Sequence, residues 1–300
     1  MTGRQMGAAE WAMMLALSLL WGATFFFVEI ALRDLGPLTL VLGRVAMGAA
    51  TLWLLVLASG AVLPKTLRDW RELAVMGLMN NAIPFTLIFW GQTQITSSLA
   101  SILNATTPIF GVIVAHLFLA DERATPNKAL GVLFGIGGVI LLIGPDALAG
   151  VDGSLLGQLA LIGAAISYAF AGAWGRRLGR FAPPVAAAGM LTMSTLMMVP
   201  VALLAEGLPG TAPGLYPVLA WVALGVAGTG LAYILYFRIL ERAGATNLLL
   251  VTFMIPPSAI LLGVWFLDES LSLTAVGGLV LIFIGLACVD GRFLRRRATA

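Results

Sequence analysis

Ten long apolar stretches, at about 12–32, 38–58, 72–92, 97–119, 127–144, 154–173, 184–205, 216–237, 246–267 and 274–290, leave this chain few folds to choose from. Each approaches the roughly 20 residues that a helix needs to cross a hydrocarbon slab about 30 Å thick. Together they take about two-thirds of the 300 residues and leave only short connections. A barrel strand would alternate between lipid and lumen, and these continuous runs do not. Composition agrees: 60% of residues are apolar, 10% are charged and the mean hydropathy is +1.00, whereas soluble domains carry about 25% charge. A soluble enzyme, a disulfide-framed secreted domain (Cys288 is the single cysteine) and a disordered chain are excluded. The first stretch is too long for a signal core and carries Glu29, so it reads as a mature helix. The expected fold is an all-α integral membrane protein with ten transmembrane helices.

Charge gives the orientation. With ten crossings, fifteen of the seventeen Lys and Arg residues fall on one side, leaving Arg33 on the other and Arg44 inside the second span. Basic residues beside short loops stay cytoplasmic, so both termini are expected inside a bacterial inner membrane. This distribution accounts for the pI of 9.4 without nucleic acid. The basic tail Arg292–Arg297 reads first as a topology anchor and secondarily as a contact for anionic lipid.

The two halves repeat. Asp121-Glu122, Gly131, Gly138 and Gly144 recur 147 residues later as Asp268-Glu269, Gly278, Gly285 and Gly291, and Pro37 recurs as Pro184. At an offset of 148, Gly77 matches Gly225, Phe85 matches Tyr233 and Ser98 matches Thr246. Two units follow, residues 1–146 and 147–300, each with five spans. Five is odd, so the second unit enters the membrane upside down, a mark of secondary transporters with a midplane site between repeats.

Polar residues at mid-span are costly beside lipid and point to protein or to a wet cavity. In the first half these are Trp21, Thr24, Asn80, Asn81, Asn104 and Thr107; in the second, Tyr168, Thr229, Tyr233 and Ser258. Trp21, Phe25, Phe85 and Tyr233 would receive the apolar part of a cargo. Adjacent helical positions point about 100° apart, so one amide of Asn80-Asn81 can face a cavity while the other bonds a neighbouring helix. Pro108, Pro256 and Pro257 remove backbone donors and are expected to bend the fourth and ninth spans. Gly131, Gly135 and Gly138, with Gly277, Gly278 and Gly285, suit close packing of the fifth and tenth spans, peripherally or at a weak dimer contact.

Chemistry for catalysis or metal binding is sparse: one His, one Cys, and no HExxH or phosphate-loop pattern. No cofactor and no metal are expected. Glu29 and Arg44 lie toward the outer ends of adjacent spans and would form a gating ion pair, or else snorkel separately. His116 reads as a packed histidine before a proton carrier. With neither a carboxylate nor a cation expected at the midplane, the cargo reads as an uncharged or zwitterionic molecule with an apolar side chain.

Trp21-Gly22 in the first span, Arg44 in the second, and a proline with a following acidic pair in the fourth and ninth resemble the EamA branch of the drug/metabolite transporter superfamily. The resemblance runs from Trp11 to Gly291 and is greatest to YddG-type exporters of amino acids. It implies alternating access and export of aromatic and other apolar amino acids. The repeat places Leu191 where Arg44 would have a counterpart, a departure from symmetry. Export of cationic drugs such as methyl viologen, and a membrane-embedded enzyme acting on lipid, are the alternatives.

Overall fold

The computed structural model describes residues 7–119, 125–148, 154–207, 212–248 and 250–290. Asp121-Glu122, Arg4, Arg123, Gly291 and the tail Arg292–Arg297 lie outside them. Ten apolar helices follow one another: α1 (Ala8–Ala31), α2 (Pro37–Ala58), α3 (Leu67–Gly91), α4 (Ser97–Phe118), α5 (Pro126–Leu148), α6 (Leu155–Gly175), α7 (Pro183–Ala205), α8 (Leu215–Ala243), α9 (Val251–Phe266) and α10 (Leu273–Asp290). The first eight are long and apolar enough to cross a bilayer, and α9 and α10 are shorter apolar helices. No strand occurs among the described residues.

Local chemistry sets the helix starts. Proline occupies the first turn of α2 and α7, where its missing N–H costs nothing. Thr66 accepts from the Asp69 amide while Asp69 accepts from the Thr66 amide, which starts α3 ahead of its apolar run. Arg180, in the α6–α7 connection, donates to Asp69 at 2.8 Å and pairs with Glu72 at 2.6 Å, and these carboxylates push its guanidinium pKa up.

Three helices are irregular at mid-depth. α3 widens into a π turn at Leu78–Ala82 and α8 into a longer one at Ala223–Leu231. These are counterparts in the repeat: Gly77 immediately precedes the first, and its match Gly225 is the third residue of the second. α4 is interrupted at Ala105–Thr106, with Pro108 in the first turn of the piece that follows. In the ninth stretch a short helix, Ala245–Leu248, precedes α9, which carries Pro256 and Pro257 in its interior. By the i−4 rule Pro256 withholds the amide that would have bonded the Thr252 carbonyl.

The main helix pairings keep their pattern when the two units are exchanged. α1 packs on α9 and α6 on α4; α3 packs on α6 and α8 on α1; α2 packs on α7 and α5 on α10. The counterparts in contact run antiparallel. Along α2 and α7, Leu38 meets Glu206 while Trp53 donates to the Thr192 hydroxyl at 2.8 Å. Between α5 and α10 the backbones approach so closely that a Cβ on Gly131 would lie 2.6 Å from the Gly285 carbonyl oxygen. A Cβ on Gly138 would lie 2.8 Å from that of Gly278. These glycine faces therefore meet each other within one chain.

The bundle has two distinct ends. The basic end carries Lys65, Arg68, Arg176, Arg180 and Arg242; the acidic end carries Asp34, Glu206, Asp268 and Glu269.

Candidate functional site

A cavity of about 890 Å³ occupies the centre. Of the twelve residues expected at a binding site, ten lie in its wall: Trp21, Thr24 and Phe25 from α1, Asn80 and Phe85 from α3, Asn104 and Thr107 from α4, Tyr168 from α6, and Thr229 and Tyr233 from α8. Pro108 lies there too, and α9 contributes Val251, Thr252 and Ile255. The wall also includes Arg44 of α2 and Met190 of α7. The size suits a small organic molecule.

Among the described residues the cavity opens at one end only. Toward the basic end its wall reaches Leu119, Phe181 and Leu240. Toward the acidic end it stops at Val28, Ile88 and Gln92, all buried. Three carboxylates seal that end, each bonding across from one unit to the other. Glu206 accepts from the Leu38 and Thr39 amides at 2.9 and 2.8 Å and from the Thr39 hydroxyl. Glu269 accepts from the Ser97 and Ser98 amides at 2.8 and 2.9 Å and from the Ser98 hydroxyl. Asp34 accepts from the Gly214 amide at 2.7 Å. Glu206 and Glu269 each place negative charge on the amides that a helix N-terminus leaves without intrahelical partners, where the helix dipole favours it.

One side of the wall is aromatic. Trp21 lies 5.9 Å from Tyr236, and Tyr233 stacks on Phe237 at 5.8 Å. Much of the polar complement is satisfied locally. Asn80 Nδ2 donates to the Tyr233 hydroxyl at 3.1 Å, Thr24 donates to the Trp21 carbonyl at 2.6 Å, and Thr107 donates to the Asn104 carbonyl at 2.7 Å. Two amide oxygens are left over. Gln92 spends its Nε2 on the Phe25 carbonyl at 2.9 Å, and its Oε1, like Asn104 Oδ1, is buried with no hydrogen-bond partner among the described residues.

Several expected placements are corrected. Asn81 is not in the wall: it is fully buried and donates to Ser194 Oγ of α7 at 3.2 Å, because its neighbour Asn80 takes the cavity-facing direction. Ser258 faces α1, where it donates to the Ser18 carbonyl at 2.9 Å in the space left by Gly22. Glu29 and Arg44 do not pair. Glu29 lies among Glu269 and Arg33 toward the acidic end, with Oε2 unpartnered. Arg44 turns inward, donating from Nε to Thr229 Oγ1 at 3.0 Å with its guanidinium carbon 4.0 Å from the Phe85 ring centre. Aromatic faces and a hydroxyl hold it there. The wall therefore contains a cation at its centre, contrary to the expectation of none. His116 lies in the last turn of α4 and outside the wall.

Gln92 and the cavity-facing aim of Arg44 were missed from the sequence. The one available signal for Arg44 was the mismatch with Leu191, which marked that position as unlike its counterpart.

Ten apolar helices in two matched units around a single-ended, aromatic and polar cavity define a multi-pass membrane transporter. The model of the EamA-like transporter family matches residues 10–144 and again 155–289, and the chain belongs to that family. It is similar to the uncharacterised transporter YoaV of Bacillus subtilis, 22% identical across 94% of this chain and 97% of that one. The protein PecM of Dickeya dadantii is 28% identical over 92% and 91% of the two chains. YedA of Escherichia coli K12, an uncharacterised inner membrane transporter, is 26% identical over 86% and 82%. A solved crystal structure superposes with a TM-score of 0.68 at 22% identity, covering 96% of this chain and 99% of the other, a likeness of fold. Family and relatives point to transport rather than to an enzyme.

Proposed function

We propose that this protein is an inner-membrane exporter of small amphipathic metabolites, foremost aromatic and other apolar amino acids, as YddG-type exporters are. The units 1–146 and 147–300 act as inverted repeats that rock about the cavity. The observation that carries this reading is the single-ended cavity itself, sealed at the acidic end by carboxylates that bond from one unit to the other. A site that alternates must be closed on one side by contacts that can be exchanged, and those bonds join the units that would separate.

Positive-inside orientation puts the basic end and both termini in the cytoplasm, so this conformation receives cargo from inside. The protein acts as a monomer or weak homodimer, with no cofactor. Cationic drugs fit less well, because the wall holds no Asp or Glu among the described residues and does hold Arg44. An enzyme acting on lipid has less support, since no group of three or more metal-ligating side chains occurs among those residues.

Proteoliposomes containing the purified protein test this. Labelled phenylalanine should cross saturably and methyl viologen should not. Saturable methyl viologen flux without phenylalanine flux reverses the substrate assignment, and the absence of saturable flux of either removes the reading.

A further inference from the structure

We propose that Arg44 is the anchor for a carboxylate on the cargo, so that the cavity selects carboxylate-bearing molecules with an apolar body over amines and cations of the same shape. This rests on the reading of the cavity as a transport site and names the group it recognises.

A guanidinium offers five N–H donors. Thr229 takes the one on Nε, and the rings of Phe85 and Phe89, at 4.0 and 5.6 Å, cover its face without accepting an in-plane hydrogen bond. The remaining four donors have no partner among the described residues, although Arg44 is only 7% exposed and lines the cavity. The ionisable groups that interact with it electrostatically are the Tyr168 and Tyr233 hydroxyls, which are also in the wall. No Asp or Glu among the described residues joins them.

A buried charge is tolerated when something pairs with it. Here the protein supplies orientation and an aromatic backing, and leaves the counter-charge to be brought in. The open edge of a guanidinium fits a carboxylate with two parallel hydrogen bonds. Gln92 caps the end of α3 two turns beyond Phe85, and its orphan Oε1, with Asn104 Oδ1, provides acceptors suited to an ammonium group on the same cargo. Two acceptors, one fork of donors and an aromatic cluster match a zwitterion with a ring or branched side chain.

The test is equilibrium binding to the purified full-length protein, comparing phenylalanine with phenylalaninamide, which lacks only the carboxylate charge, and 3-phenylpropionate with phenethylamine. Phenylalanine should bind at least tenfold tighter than its amide, and 3-phenylpropionate should bind where phenethylamine does not. Arg44→Gln should weaken phenylalanine by about 30-fold, the loss expected of a charged hydrogen-bonded pair, and leave phenylalaninamide unchanged. A merely structural arginine would move both ligands together, and that result overturns the proposal. If Arg44→Gln does not fold, Arg44→Lys keeps the charge without the fork and should narrow the preference for phenylalanine by about fivefold. An unchanged preference overturns the proposal, as does equal binding of phenylalanine and its amide by the unmodified protein. Either outcome leaves transport standing, because transport is read from flux in vesicles.

Discussion

Glu269→Ala should open the acidic end. The carboxylate receives the Ser97 and Ser98 amides at 2.8 and 2.9 Å and the Ser98 hydroxyl, so three donors in the first turn of α4 depend on one side chain from the α9–α10 connection. A hydrogen bond to a charged group contributes about 1.5–3 kcal/mol net, and the helix N-terminus adds about 0.3–1 kcal/mol. The site is only partly buried, so water recovers a good part of this for the freed amides. We assign the latch about 2 kcal/mol in all, equivalent to about a 30-fold shift toward the state open at the acidic end. Val28 reports the opening, since it is 1% exposed at the closed tip of the cavity. In a Cys288→Ala background, Val28→Cys would be labelled with an impermeant maleimide added from the acidic side of sealed vesicles. Glu269→Ala should raise the labelling rate about 30-fold, and Glu269→Gln, which keeps one acceptor oxygen, should raise it less. A rate within about twofold of the parent, in protein that remains folded, would refute the latch, because 2 kcal/mol cannot vanish from a two-state equilibrium.

Asn81→Ala should lower stability by about 1–2 kcal/mol, through loss of a buried interhelical hydrogen bond, and leave flux per folded molecule near that of the parent. Thermal unfolding alongside vesicle flux checks both halves of that statement. Gly138→Val places side-chain carbon against the Gly278 backbone, which cannot move aside as a side-chain tip can, and should cost about 1–3 kcal/mol in the same unfolding assay. Asp268 sits at φ +55, a left-handed conformation that glycine adopts without strain. Asp268→Gly should therefore stabilise the α9–α10 turn by up to about 1 kcal/mol, seen as a small rise in melting temperature.

The helices were legible because a bilayer demands long apolar runs, and the expected ends miss mostly where polar chemistry extends a helix beyond its apolar part. α3 begins at Leu67 rather than near residue 72 because the Thr66–Asp69 cap starts it on an exposed, charged turn. Depth in the membrane could also be read, which is why Trp21, Asn80, Tyr168 and Tyr233 meet around one space. Direction around a helix axis could not. Asn81 and Ser258 lie at the expected depth and face helices instead of the cavity. The wide turns at Leu78–Ala82 and Ala223–Leu231 add a residue per turn and rotate everything after them, with no signal in the sequence beyond the glycine before the first and those within the second.

Those two wide turns also show where the twofold relationship breaks. Asn81 and Thr229 are counterparts at the 148-residue offset, and each reaches from its wide turn to the helix packed beside it. In the first unit, Asn81 meets Ser194, whose hydroxyl lies within hydrogen-bond distance of the Gly77 and Met190 carbonyls, so the polar groups satisfy one another away from the cavity. In the second, Thr229 donates to the Leu224 carbonyl and accepts from Arg44, and the far side of that arginine is left toward the open space. Leu191, where symmetry would put a second arginine, is buried against α2. Leu191 is absent from the cavity wall, so the single guanidinium gives the cavity one charged side against an otherwise aromatic and apolar lining. A cargo with its charge at one end and its apolar mass at the other would bind such a space in a single orientation. Leu191→Arg would bury an unpaired charge between α7 and α2 and should cost about 3–5 kcal/mol in thermal unfolding, while Leu191→Met, which keeps volume and polarity, should cost less than about 1.5 kcal/mol.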